Sequence, residues 1–213
     1  MTALRAGGRW HRIGVACGRC LPGGIGALLI AAVMLAATAM AAATAAATAA
    51  VDTAAWSARD FDHVRLGRIQ MRMPPSWLTF ERQDGAGTTL VRIVPPQDRF
   101  GLEIQIGTRT ALKLDGLDDA GLPGYVIASL SGLLPRFLED AVVPLRFGPD
   151  ADGVYARLTD RHPRAGEFLF LTRGLRLDGE AVIVFTLYAS DHDASVLTPV
   201  LEVVSGITIT PPH

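Results

Sequence analysis

The densest group of side chains able to do chemistry lies in "YASDHDAS", residues 188–195, where Asp191, His192 and Asp193 follow one another. An imidazole between two carboxylates has the donor types of a divalent-metal site and of a general acid–base pair. Successive residues diverge from a strand or fan around a turn, however, whereas a metal needs convergent ligands held by their neighbours. The local reading is a polar corner in which Asp193, or Ser190, Asp191 or Ser195, offers an oxygen to the unpaired amides of a following helix. Pro199 constrains where that helix starts. A Ser195 cap puts the proline fourth, where its missing amide costs a bond, and a Thr198 cap puts it first, where it is tolerated.

Two more histidines bear on the same question. His63 has Asp60 and Asp62 nearby, and His162 follows Asp160 and Arg161. Two histidines and a carboxylate meeting in space would make a site, but nothing local brings them together, and exposed loop positions are the expectation for both. "ASLSG", residues 128–132, has the composition of a nucleophile elbow without its order, because Leu130 stands where the serine of Gly-x-Ser-x-Gly belongs. The glycines form neither a phosphate-binding loop nor a dinucleotide fingerprint. No residue is assigned a catalytic or metal-ligating role, and no cofactor is implied.

The elements that would position these residues begin after residue 50. The first fifty carry Arg5, Arg9, Arg12 and Arg19 with no acidic residue, followed by an apolar, alanine-rich block from Leu21 to Val51. This is the pattern of a secretory signal, with small-residue sites such as Ala37-Thr38-Ala39 for cleavage. The block is also long enough for an uncleaved anchor, since about 20 apolar residues cross a bilayer. Either way the remainder is expected outside the cytoplasm, periplasmic or secreted, or held at the inner membrane. Cys17 and Cys20 fall in the basic stretch, so the rest of the chain has no cysteine and must be held by its core.

All 21 acidic and 16 of the 20 basic residues lie beyond Val51, a formal charge of −5 that argues against nucleic acid as partner. Residues 51–60 lack a clean period and read as a linker, with Trp56 free to dock. Residues 61–210 then make one domain. Ile69, Met71 and Met73 alternate as a strand ended by Pro74-Pro75, "SWLTFERQ" alternates through Leu78 and Phe80, and two further strands lie in "TTLVRIV" and "GLEIQI". No segment between them is long enough for a parallel crossover, so an antiparallel meander is predicted.

The period changes to three and four over residues 123–138, predicting an amphipathic helix interrupted by Pro135. Strands return in "AVVPLRF", "GVYARLTD" and "GEFLFLTRGLRLDGEAVIVFTLYAS", with a hairpin at Asp178-Gly179. The apolar run "AVIVFTLYA" predicts a central strand covered on both faces. A helix over residues 195–204 and a terminal edge strand in "GITIT" complete an α+β fold, an α/β sandwich with a central antiparallel sheet flanked by helices. Arg157, Arg161, Arg164, Arg173 and Arg176, interspersed with acids, read as a mixed solvated surface.

This order, carried by "QMRMPPSW", "GLEIQI" and "AVIVFTLYASD…VLTPVLEVVSGITI", resembles the PsbP-like fold of extrinsic photosystem proteins, Ran-binding import factors and bacterial DcrB-like proteins. The resemblance implies an accessory or scaffold role without catalysis, and no functional residue transfers to a position here. The expected function is a non-enzymatic exported binding protein of the bacterial cell envelope, whose partner is an envelope protein or a lipophilic ligand. Its partner surface is expected at Trp56, Tyr125, Leu134 and Phe137. The competing reading is an envelope hydrolase or metal enzyme built on Asp191, His192 and His162.

Overall fold

The computed structural model describes residues 53–85, 87–96, 99–148, 152–190 and 194–212, all within one compact unit. The apolar and basic stretch of residues 1–50 lies outside the described residues, as do Asp191, His192 and Asp193.

Among the described residues ten strands and two α-helices form the fold: β1 (Ser57–His63), β2 (Gly67–Met73), β3 (Leu78–Gln83), β4 (Thr88–Val94), β5 (Phe100–Thr108), α1 (Leu122–Ser131), β6 (Leu145–Arg146), β7 (Gly153–Thr159), β8 (Phe170–Asp178), β9 (Ala181–Ala189), α2 (Ala194–Ser205) and β10 (Thr208–Thr210). Every strand pair is antiparallel. The single sheet expected from the sequence is in fact two, a three-stranded sheet ordered β1-β2-β10 and a seven-stranded sheet ordered β3-β4-β5-β9-β8-β7-β6. The sandwich is thus mainly sheet, with helices as the minor component. The linker expected over residues 51–60 also gives way, because β1 starts at Ser57. Only Phe61 and His63 of that strand are buried, so its sequence carries little alternation to read.

β9 occupies the centre of the large sheet, as its apolar run predicts, and feeds two cores. Ala181, Ile183, Phe185, Leu187 and Ala189 point toward the small sheet and α2, where they meet Ile69, Met71, Met73, Val200 and Val204. Val182 and Val184 point the other way, toward Leu122, Val126 and Leu130 of α1. The hairpin into β9 turns through Gly179-Glu180, with Gly179 at φ +57°, the positive first position of a type II′ turn. Gly67, at φ +85°, opens β2 where any Cβ would collide with the Thr210 carbonyl oxygen, so β10 can close the small sheet only over a glycine.

Both helices depart from the expected limits. α1 stops at Ser131 because Gly132 caps it and Pro135 has no amide for the Ser131 carbonyl. The chain then makes one 3-10 turn, Leu134–Arg136, and becomes extended at Phe137 (φ −112°, ψ 163°), which bridges to Asp160. α2 begins at Ala194, earlier than a Ser195 or a Thr198 cap would start it, and carries Pro199 as its sixth residue. The proline withholds an amide from the Ser195 carbonyl, a cost that the buried stripe Val196, Val200, Val203 and Val204 offsets.

The C-terminal end of α2 is fastened by Arg176 of β8. Its guanidinium donates to the carbonyls of Val204 (3.4 Å), Ser205 and Ile207 (3.0 Å), and to Asp178 (3.1 Å). A cation at this end also complements the helix dipole. Arg176→Ala should therefore lower unfolding free energy by about 2–3 kcal/mol in urea titrations, with Arg176→Lys recovering part of it.

Candidate functional site

Of the clefts that indent the large sheet, two lie at its opposite ends. The polar one, about 560 Å³, lies at the end that carries the β8–β9 hairpin, among Arg109, Asp118, Asp152, Arg176 and Asp178. Its side chains are engaged in holding loops. Arg109 donates through Nε to the Leu117 carbonyl (3.0 Å), Asp118 accepts from the Gly121 amide (2.9 Å), and Arg176 holds α2. Among the described residues no three His, Cys, Asp or Glu side chains group as metal ligands.

The second cleft, about 470 Å³, lies at the opposite end and is predominantly apolar. Its walls are Leu133 and Phe137, which follow α1, and Phe168 in the β7–β8 loop; Leu171 and Tyr188 belong to the sheet. Each wall has an identifiable brace. The Phe137 carbonyl accepts from Arg161 Nε (3.2 Å) and Nη2 (2.8 Å), the Arg161 amide donates to the Arg136 carbonyl (3.0 Å), and the Asp160 amide donates to the Leu169 carbonyl (2.8 Å). Glu139 Oε2 accepts from the Thr159 amide (2.8 Å) and anchors the strand-like exit of Phe137 to the end of β7. The Phe168 ring lies over Gly101, 6.2 Å from the Tyr188 ring and tilted by 31°.

On the side away from α1 the cleft is bounded by Phe168, and beyond that ring the sheet continues without a helix over it. Gly101 pairs with Tyr188 and Tyr188 with Leu171, while Leu78 pairs with Val94, next to Gly101 by the β4–β5 register. One row of the sheet thus runs from Leu171 under the cleft through Tyr188 and Val94 to Leu78. Tyr188 is 39% exposed and Leu78 62% exposed, so the apolar strip continues into solvent. The alternation of Leu78 and Phe80 identifies β3 correctly, yet the face it marks is uncovered.

The sequence-derived candidates scatter around this geometry. Phe137 is buried and lines the cleft, and Leu134 is next to that wall, half-buried against the α1-side core. Tyr125 packs within α1 on the same core, whereas Trp56 packs between the sheets, on the other side. Neither Trp56 nor α2 covers α1. His162 is exposed in the β7–β8 loop, its amide bonded to Asp160 Oδ1 (2.8 Å).

His63, expected exposed, is buried at 4% exposure. Nδ1 accepts from the amides of Arg65 (3.1 Å) and Leu66 (3.0 Å), so Nε2 carries the proton and donates to the Gly87 carbonyl (2.8 Å). The ring joins the β1–β2 turn to the β3–β4 turn. Asp60 and Asp62 point to the opposite face of β1, and Asp60 is bonded to Arg68 (2.6 Å) and Gln70 (3.1 Å). The Gly87 turn and the β7–β8 loop occupy opposite ends of the large sheet, roughly 25 Å apart along its strands, so His63 and His162 do not meet. Phe168 and Tyr188 escaped sequence reading because an aromatic in an apolar run looks the same whether or not a helix covers it. The signal available was parity, since Tyr188 falls on the α1 face of β9 two steps beyond Thr186, where the apolar pattern of that face already breaks.

His63→Leu should lower stability by about 2–4 kcal/mol, because two amides and a carbonyl lose their partner, and should leave any metal affinity unchanged by calorimetric titration. Partial burial pushes the Glu139 carboxyl up, but hydrogen bonds from Thr159 and the charge of Arg157 outweigh this and hold it below the usual glutamate range. A depressed folded value contributes stability above the ordinary value of about 4.3, which fades below it as pH falls through the folded value. Glu139→Gln should accordingly be less stable than the parent at neutral pH, with the difference fading in thermal melts as pH falls through the depressed value of the folded carboxyl.

No known protein-family model matches the chain, and no curated protein does. Among solved structures it is similar to a crystal structure of a protein from Bacteroides thetaiotaomicron VPI-5482, at 14% identity and a TM-score of 0.37. The match covers 67% of this chain and 45% of the other, so the chain spans less than half of that protein's length, and a likeness this slight identifies neither a fold nor an activity.

Proposed function

We propose that this chain is an exported, non-catalytic binding protein of the bacterial cell envelope, and that the apolar cleft between Phe137, Phe168 and Tyr188 takes a lipophilic ligand or an apolar segment of an envelope protein. The observation that carries this reading is the cleft's continuity with the exposed strip toward Leu78. A cleft of about 470 Å³ walled by aromatic and aliphatic side chains, with Arg136 and Asp160 at its rim, suits an apolar guest with a polar end. Apolar surface left open next to such a cleft is itself a mark of binding. The order of five strands, helix, four strands, helix and final strand is compatible with a PsbP-like accessory domain. The basic and then apolar opening of the chain supports export or anchoring of this domain.

A fluorescent dodecanoate titrated onto the full-length chain should saturate at one molecule per chain. Phe168→Asp and Tyr188→Ser should each weaken it by about tenfold or more with unchanged far-UV circular dichroism, while Glu81→Pro, on β3 and away from the cleft, should bind as the parent does. Equal affinity for the parent and both cleft variants would sink the proposal.

A further inference from the structure

The two edges of the seven-stranded sheet are unlike. β6 is two residues long and follows Pro144, so it offers almost nothing for another strand to pair with. β3 is six residues long, contains no proline, and has no strand beyond it among the described residues. The Asp84 amide bonds to the Thr88 carbonyl (3.0 Å), which sets the alternation along β3: Arg82, Phe80 and Leu78 exchange backbone bonds with β4, while the amides and carbonyls of Thr79, Glu81 and Gln83 face away from it.

We propose that β3 pairs with β3 of a second copy of this chain, antiparallel about a twofold axis through Phe80, joining two seven-stranded sheets into one. The side chains of β3 fit a second copy of themselves in this register. A twofold axis normal to the sheet keeps each residue on its own face, so only registers that pair residues of like parity are allowed. Centred on Phe80, the pairing sets Phe80 against Phe80 in a non-hydrogen-bonded pair, where side chains approach closest, and Thr79 exchanges both backbone bonds with Glu81 of its partner. The Thr79 hydroxyl then faces a carboxylate, and the stem of Arg82 lies along Leu78. Centred on Glu81, like charges would stand opposite one another. Centred on Thr79, Glu81 would face Trp77, which is buried and whose amide is already bonded to the Pro74 carbonyl (3.1 Å). Of these three registers the one centred on Phe80 avoids both faults, setting no like charges opposite one another, and it also covers Phe80 and Leu78, exposed by 59% and 62%.

The test is the mass of the full-length chain in mild non-ionic detergent, by sedimentation equilibrium over roughly 1 to 300 µM, a range suited to a small strand-edge contact. A reversible monomer–dimer equilibrium is expected. Glu81→Pro removes an outward amide that β4 does not use, and Phe80→Lys places a charge at the axis; both should be monomeric throughout, with parental circular dichroism. Should the proline variant misfold, the lysine variant carries the comparison alone. In a chain with Cys17→Ser and Cys20→Ser, Phe80→Cys should oxidise to a disulfide-linked dimer. A parent that stays monomeric across the range, a dimer indifferent to both edge variants, or a monomer whose β3 instead pairs with a foreign extended peptide overturns the proposal. Dodecanoate binding by Glu81→Pro separates this outcome from the fate of the cleft.

Discussion

The fold depends on one strand being buried on both faces. β9 contributes Ile183, Phe185 and Leu187 to the core between the two sheets, and Val182 and Val184 to the core beneath α1. A strand in that position must be apolar over the stretch covered on both faces, here Ala181 to Phe185, and it must be flanked by strands long enough to satisfy all of its backbone groups. β5 and β8 do this, pairing with β9 along nine residues each. Every other placement follows from which face of β9 an element covers.

Coverage of the two faces is unequal. The small sheet and α2 together cap one face, and Gln83 of β3 donates to the Asp62 carbonyl of β1 to tie the layers at that end. The other face has α1 as its one helix, with Leu112, Leu114 and Leu117 before it and Phe137 and Val142 after it. A helix of ten residues is about 15 Å long and about 10 Å wide, whereas seven strands at about 4.8 Å spacing span about 29 Å. α1 therefore covers β7, β8 and the near half of β9, and its buried neighbours Val154, Ala156, Leu158 and Leu175 belong to those strands. The β3–β4–β5 half of the same face carries no helix, and the apolar cleft forms at the boundary, where α1 ends at Ser131 and the chain returns to the sheet at Phe137.

Local conflicts in the sequence fall at this boundary. The three-and-four pattern of residues 123–138 continues past α1, but Gly132 and Pro135 stop the helix, and Phe137 becomes a cleft wall instead of a helix face. Pro199 illustrates the opposite outcome: four buried valines on one stripe hold α2 together across an interior proline, and Arg176 secures its end. Backbone preference decided the first case and packing the second. The candidate site was legible to a similarly limited degree. Phe137 could be named from the helical pattern, although for the wrong reason, while Phe168 and Tyr188 required knowing which strands lie under α1.

By itself the sequence determined the features that rest on near neighbours: alternating strands, the turn at Gly179, the antiparallel meander from β3 to β5, and the two-sided burial of β9. These follow from periods of two and 3.6 and from the φ that glycine alone tolerates, and such constraints act over a few residues. Only the tertiary structure decided that β1, β2 and β10 leave the main sheet, that His63 is enclosed between two turns, and that half of one sheet face carries no helix. Those outcomes depend on pairing between strands far apart in the chain and on how much area a single short helix can cover, and neither quantity is written in the order of adjacent residues.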